Sequence, residues 1–224
     1  MGTETKHNLS EQDLQQIFLE ITAMEKVFIL EAKDFLSAGQ GYLHTMDLFI
    51  SAIINRSISL MRGFLTLAKD NNYISSIPLI RMQVDNCMRL YAATLVSDYN
   101  QFFIQYLGGE RIGNIKDNQG KKMTDTYLIT KLDKEVCTGI KKLYEYTSDY
   151  VHFSNQLSLL TTKIVPDKER TVGTRIGVYD FYEIDQKVDF AFNMLKASQL
   201  LIGFVKSWKP QKLKIEKQVK SKPN

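Results

Sequence analysis

Apolar residues recur at helical spacing along most of this chain. The clearest series starts at Met46 and advances in alternating steps of four and three residues, which is the spacing of a core-facing helical stripe. Its members are Met46, Ile50, Ile53, Ser57, Leu60, Phe64 and Leu67. The polar run Asp70-Asn71-Asn72 follows them and predicts the end of this helix.

Helices are also predicted on both sides of this stripe. Ser10 begins a sequence that resembles a capping box, and it predicts a first helix that runs to about Phe35. Ser75-Ser76 begins a third helix, with Pro78 in its first turn. A shorter helix is expected over residues 98–107, where two glycines follow.

The second half of the chain begins with a polar segment at residues 110–124. This segment predicts a surface loop, and its Lys116, Lys121 and Lys122 are available to an anion. Further helices are expected over residues 125–132, from about 134 to 152, over 156–160, and from 185 to about 207.

Between residues 163 and 182 the pattern changes from helical to extended. β-Branched and aromatic residues surround Pro166-Asp167 and Gly173, which predicts a β-hairpin of residues 163–165 with 175–182. The predicted fold is therefore mainly α, a helical bundle with a small β-hairpin insertion before the last helix. We expect one domain over residues 1–207 and a lysine-rich tail over 208–224.

Composition agrees with one globular domain. The chain has 224 residues, of which 44% are hydrophobic and 24% charged, so it is long enough to bury a core without disulfides. Cys87 and Cys137 form no metal-site spacing and are expected to be small buried hydrophobes in a reducing compartment. We expect no metal and no cofactor.

The distribution of charge and apolar residues also bears on partners. Residues 206–224 hold seven lysines and one acid, which is a formal charge of +6, so the net charge of +4 leaves about −2 on the rest. A solvated terminus is the preferred interpretation, and attraction to phosphate or to an acidic membrane is the alternative. Uncharged runs such as 197–205 are shorter than the roughly 18 residues that span a bilayer. A cytoplasmic protein without membrane association is expected.

An arginine lies within the clearest core stripe. Arg56 follows Ile53 by three residues and precedes Leu60 by four, so its side chain leaves the helix beside core residues. A guanidinium there must be paired or reach solvent, because burial of an unpaired charge is costly.

The next helix carries a ladder of charges. Arg81, Asp85 and Arg89 repeat at i, i+4 and i+8, so neighbouring members can neutralise each other. A surface salt bridge is the simplest interpretation of this ladder. Together with Arg56 it also fits a polar pocket or a buried network that is lined by several helices.

The segment Ser148-Asp149-Tyr150-Val151-His152-Phe153-Ser154 places a histidine at the end of an apolar helix. His152 follows Ser148 by four residues and Asp149 by three, so the three side chains lie close on the helix. A Ser-His-Asp hydrolase is disfavoured, because Ser148 lies on no strained turn. A di-metal site is disfavoured too, since Asp149-x-x-His152 is a single pair. Acid–base work on RNA and a hydrogen-bonded core histidine both remain open.

These motifs together resemble a group of bacterial all-helical proteins that is similar to the HEPN (higher eukaryote and prokaryote nucleotide-binding) superfamily. The resemblance covers residues 43–154 approximately. It implies a bundle of about four helices, homodimer formation and RNA cleavage with an Arg-x4-6-His motif, in which His152 matches the histidine. No arginine precedes His152 by four to six residues, where Tyr146, Thr147 and Ser148 stand instead.

Two functions follow from the sequence as hypotheses. In the first, the protein is HEPN-like and binds RNA or a nucleotide, with a degenerate or atypical metal-independent ribonuclease site. Its catalytic candidates are His152 and Arg81, and its binding candidates are Arg56, Asp85, Arg89, Ser148 and Asp149. In the second, the protein is a noncatalytic interaction or dimerisation module, and the polar cluster sets helix register.

Overall fold

The computed structural model describes residues 9–152, 154–164, 172–174, 176–177 and 181–220. These residues form eight α-helices and one pair of short strands. The helices, α1 to α8 in chain order, are Glu11–Ser37, Thr45–Lys69, Tyr73–Thr94, Tyr99–Leu107, Asp125–Glu135, Ile140–Val151, Asn155–Thr161 and Ile184–Lys220. The strands are β1, Thr162–Ile164, and β2, Val172–Thr174. The predicted mainly α helical bundle is confirmed.

Helix α3 lies at the centre of the bundle. It packs against α2, α8, α5 and α6, while α1 packs along α8 and α2, and α4 packs on α2. Ile77, Val84, Cys87 and Met88 of α3 are buried completely. A helix with neighbours on several sides carries its polar residues into their interfaces, which is why the charged ladder of α3 contacts other helices.

Local capping signals explain where the first helices begin. The capping box of α1 is present, since the Ser10 backbone N donates to Asp13 Oδ2 at 2.8 Å and the Asp13 backbone N donates to Ser10 Oγ at 3.3 Å. Helix α3 begins at Tyr73, two residues before the predicted start, because Asn72 Oδ1 accepts from the Ser75 backbone N at 3.3 Å. Pro78 therefore lies in the second turn, which corrects the predicted position.

The boundary between the helices predicted over residues 125–132 and 134–152 lies later in the chain than predicted. Helix α5 continues to Glu135, and α6 begins only at Ile140 after Gly139, whose φ is +94°. Asp133 Oδ1 accepts from the backbone N of Gly139 at 2.8 Å and of Lys141 at 3.0 Å. This side chain satisfies the first N–H groups of α6, and the left-handed glycine lets the chain turn there.

The β-hairpin is present, but its second strand lies earlier than predicted. β1 pairs with β2 in antiparallel register, with Thr162 opposite Thr174 and Ile164 opposite Val172. The prediction placed the second strand at residues 175–182, of which 175 and 178–180 lie outside the described residues. Phe181 and Tyr182 are not in a strand. Tyr182 is instead buried against Tyr73 and Phe190, so the core takes this aromatic residue.

The last helix extends well beyond its predicted end near residue 207. Helix α8 continues to Lys220 and packs along α1. Trp208 and Lys212 are buried, so the interpretation of the lysine-rich stretch as a solvated terminus is wrong at these two residues. Lys206 lies 3.5 Å from Glu31 and Lys209 lies 2.6 Å from Asp34. The lysines thus pair with acids of α1, which the local composition does not indicate.

Two helices are long and apolar enough to cross a membrane, by length and composition alone. They are α2, Thr45–Lys69, and α8 over Ile184–Gln218. Buried residues make up 44% and 56% of their most apolar windows, and core helices of soluble proteins pass the same test. This is weak support for a membrane span, and the expected cytoplasmic location stays a prediction.

Candidate functional site

A cleft of about 930 Å³ opens between α2, α3, the N-terminus of α5 and the loop before residue 115. Its walls carry three arginines and three acids, namely Arg56, Arg89, Arg111, Asp85, Glu110 and Asp125. An aromatic ring, Tyr106, completes one side, and this residue is 40% exposed. Three of the binding candidates predicted from the sequence therefore meet at one place.

Arg56 reaches this cleft from the core side of α2. Its Nη1 donates to Asp85 Oδ2 at 3.2 Å and to Oδ1 of Asn86. The side chain keeps 39% of its surface exposed. The expectation that this guanidinium is paired or reaches solvent is confirmed, because it does both.

Arg89 is bound more tightly than Arg56. Its Nη2 donates to Asp85 Oδ1 at 2.7 Å and to Asp125 Oδ1 at 2.8 Å. Burial by itself lowers the pKa of Arg89, but the two carboxylates outweigh burial and raise the pKa above its ordinary value. Arg89 is therefore a fixed cation that joins α3 to the first turn of α5.

Asp85 links the two arginines. One of its carboxylate oxygens accepts from Arg56 and the other from Arg89, so both oxygens are used. The i, i+4 pair of Asp85 and Arg89 confirms that part of the predicted ladder. Because the carboxylate is shared between α2 and α3, Asp85 positions both guanidiniums at the cleft.

A buried chain of amides and hydroxyls supports Arg56 from behind. Asn86 Nδ2 donates to Gln83 Oε1 at 3.2 Å. Gln83 Nε2 in turn donates to Ser57 Oγ at 2.6 Å and to Ser198 Oγ at 3.0 Å. The side chains of these four residues are fully buried. The cleft is thus connected by hydrogen bonds to the centre of the bundle, at α8.

Arg81 does not line the cleft and instead contacts α6. Its Cζ lies 3.5 Å from the centre of the Tyr144 ring, and its Nε donates to Ser148 Oγ at 3.1 Å. Stacking on an aromatic ring is a favourable position for a guanidinium. Arg81 therefore joins α3 to α6, and it does not complete the ladder with Asp85, whose oxygens are occupied by Arg56 and Arg89.

His152 is exposed, so its interpretation as an interior histidine is wrong. It is the C-terminal cap residue of α6, and its backbone N donates to Ser148 O at 3.1 Å. Within the described part of the chain, the side chains of His152 and Asp149 have no hydrogen bond to Arg81 or to the cleft residues. Apolar spacing predicts which residues can face inward, but a helix end lies at the surface of a bundle.

The loop beside the cleft is held by Asp117. Its carboxylate accepts from the Tyr127 hydroxyl at 2.6 Å and from the backbone N of Gln119 and Lys121, each at 2.9 Å. Burial opposes ionisation of Asp117, but these three donors outweigh burial and lower the pKa of Asp117. The hydrogen bond from the Tyr127 hydroxyl to Asp117 also raises the pKa of Tyr127 to about 12. Met123 of this loop is buried, so the predicted surface loop is anchored rather than free.

Sequence reasoning missed several residues of this site. They are Gln83, Asn86, Tyr106, Glu110, Arg111 and Asp125. Gln83 and Asn86 interrupt the apolar pattern of α3 just as Arg56 interrupts that of α2, so a search for polar residues among buried positions finds them. Asp125 carries only an N-terminal helix signal, because its partner Arg89 is 36 residues away.

Neither a metal site nor a related protein assigns a function to this cleft. Over the residues that the structure describes, no group of three or more histidine, cysteine or acidic side chains could hold a metal ion. No protein-family model, no curated protein and no solved structure matches this chain. The resemblance to the HEPN superfamily therefore stays a prediction.

Proposed function

We propose that this protein binds RNA or a nucleotide in the cleft and does not cleave RNA. The observation that carries this proposal is the placement of Arg56, Arg89 and Arg111 around a cleft with the exposed ring of Tyr106. Guanidiniums bind phosphate, and aromatic rings stack on bases. The proposal includes the HEPN-like relationship, but none of the residues on which it rests was chosen from the HEPN motif.

The position of the acid–base candidate supports the proposed absence of RNA cleavage. A general acid or base must be within hydrogen-bond reach of its substrate atom. His152 is exposed at the end of α6, and no histidine of the described residues lines the cleft. Asp85 is bound through both oxygens to arginines, so it is not available as a base. These positions support binding, and they supply no histidine for acid–base chemistry at the cleft.

Titration of fluorescein-labelled eight-nucleotide RNA and of AMP, by anisotropy and calorimetry, tests the proposal. Arg56→Gln and Arg111→Gln are expected to weaken binding about tenfold, the effect of about 1.4 kcal/mol. Lys26→Gln on α1 is the matched control, since Lys26 is exposed and lies on a helix that does not line the cleft. Absence of binding to every probe would overturn the proposal.

RNA cleavage is tested separately with the same RNA. We expect no product above the rate without protein, and no difference between wild type and His152→Ala. Cleavage that is lost in His152→Ala would contradict the noncatalytic part of the proposal while leaving the binding part in place.

A noncatalytic dimerisation module is the second candidate, and it implies a homodimer. Leu48 of α2 and Ile104 and Leu107 of α4 are large apolar side chains that stay exposed on two helices that pack together. Sedimentation at micromolar concentrations is expected to show a dimer in this case, and Leu107→Glu to shift it toward monomer. A monomer at all concentrations would exclude this candidate.

A further inference from the structure

Two arginines of the cleft have N–H groups that are not used in hydrogen bonds within the described residues. Both hydrogen bonds of Arg56 use Nη1, so within the described residues its Nε and Nη2 have no hydrogen-bond partner. Arg111 is exposed and has no ion-pair partner in that same part of the chain. Both side chains line the cleft, so both offer N–H donors to an anionic group that binds there.

The acids of the cleft also have free acceptor capacity. Asp125 binds Arg89 through Oδ1, while Oδ2 has no partner among the described side chains and the side chain is 46% exposed. Glu110 lies on the loop beside Arg111 and is exposed. Carboxylate oxygens accept hydrogen bonds from hydroxyl groups and repel phosphates. The ligand must therefore carry donors as well as an anion.

An aromatic surface stands beside these groups. The Tyr106 ring contacts Phe49 edge to face, with centroids 5.1 Å apart, so its orientation is fixed by this contact. Both residues line the cleft. A flat ring of the ligand can stack here, next to the acids and the arginines.

The charge around the cleft argues against a long polyanion. Three arginines face three acids, so the formal charge of the walls is zero. Lys116, Lys121 and Lys122 of the neighbouring loop are exposed but do not line the cleft. Strands of nucleic acid are held by net positive grooves that follow several phosphates, whereas the charges that line this cleft balance.

We infer that the ligand of the cleft is a small ribonucleoside phosphate, with its phosphate at Arg56 and Arg111 and its ribose hydroxyls at Asp125. This inference rests on the proposed function and narrows it to one class of ligand. Asp85 is a positioning residue, since both of its oxygens hold arginines. Asp125 distinguishes ribose from deoxyribose, because its free oxygen accepts from a 2′-hydroxyl that deoxyribose lacks.

Calorimetric titration of the full chain with the four ribonucleoside monophosphates and their 2′-deoxy forms tests this assignment. At least one ribonucleotide is expected to bind about tenfold more tightly than its deoxy form, as for one lost hydrogen bond. In Asp125→Asn this ratio is expected to fall toward one. The variant keeps an amide oxygen that can accept from Arg89, and thermal melting checks that it is folded.

Two further measurements locate the phosphate and the length of the ligand. Arg111→Gln is expected to weaken binding of the nucleotide but not of the free nucleoside. Lys26→Gln is expected to change neither affinity. The affinity of the nucleotide is expected to fall only weakly with salt, because a single nucleotide has no condensed counterions to release. A preserved ribose preference in Asp125→Asn would overturn the role of Asp125.

The outcomes separate this inference from the proposed function. If eight-nucleotide RNA binds in the cleft more than about tenfold tighter than every mononucleotide, with a salt slope steeper than about −3, the ligand is a strand. The inference then fails and the proposed function stands. If neither RNA nor any nucleotide binds, both fail.

Discussion

Lys212 donates from Nζ to Oδ2 of Asp47 at 2.9 Å, and neither side chain has any exposed surface. The same ammonium donates to Phe35 O at 2.9 Å, and Asp47 Oδ1 accepts from Trp208 Nε1 at 2.6 Å. The pair therefore ties α8 to the end of α1 and the start of α2. Burial of two charges is tolerated here because both are paired and hydrogen-bonded.

Replacement of Lys212 by methionine is expected to destabilise the fold by about 3 to 5 kcal/mol, because Asp47 is left as a buried carboxylate without a cation. For a domain of this size the thermal midpoint is expected to fall by roughly 10 °C. Differential scanning calorimetry at pH 7 measures it. Lys206→Met removes only the exposed pair with Glu31 and is expected to cost less than about 1 kcal/mol. Equal losses in the two variants would contradict the importance of the buried pair.

His152→Gln is expected to leave the free energy of unfolding within about 0.5 kcal/mol of wild type, because His152 is an exposed helix-end residue. Ser148→Ala is the informative comparison, since Ser148 Oγ accepts from Arg81 Nε between α3 and α6. Its expected cost is about 1 kcal/mol. Urea denaturation followed by circular dichroism measures both, and a larger loss for His152→Gln would show a structural role that its exposure does not indicate.

Gln83→Leu is expected to destabilise the protein by about 2 to 3 kcal/mol, because it leaves Asn86, Ser57 and Ser198 without the amide that they share. Gln105→Leu, on the exposed side of α4, is the matched control and is expected to change stability by less than about 0.5 kcal/mol. Chemical denaturation provides the comparison. Similar values for the two variants would mean that the buried network adds nothing to stability.

Asp117 is expected to contribute to the loss of folding stability at low pH. Its pKa in the folded protein lies below the ordinary value of 3.8, so its contribution is present above that value and is lost as the pH falls through the folded pKa. Asp117→Asn is expected to cost about 1 kcal/mol at pH 7. The difference from wild type should narrow as the pH falls below about 4. Unfolding midpoints between pH 2 and 7 test this, and parallel curves would contradict it.

Much of the helical fold could be predicted from local pattern. In the stripe that begins at Met46, every member up to Phe64 is buried and Leu67 is half-buried. This succeeds because the period of a helix and the apolar face that it presents are both set by neighbouring residues. The start of α6 at Ile140 was predicted too early, since the side chain that caps α6 comes from Asp133 in the preceding helix.

The candidate site could be predicted only in part. Arg56, Asp85 and Arg89 were identified by their polarity among apolar residues, and they do meet. The contacts of Arg56 with Asn86 and of Arg89 with Asp125 join residues that are 30 and 36 positions apart. No local pattern specifies such pairs, because they depend on which helices become neighbours.

The sequence by itself determined that this protein is a helical bundle, where most helices run, and which charged residues interrupt their apolar faces. Only the tertiary structure decided what those charges do. Arg81 and Arg89 share one face of α3, yet one stacks on Tyr144 of α6 and the other binds Asp125 of α5. Lys212, in a stretch that reads as solvated, is buried against Asp47. The physical reason is that secondary structure follows from neighbours in the chain, whereas pairing and burial follow from neighbours in space.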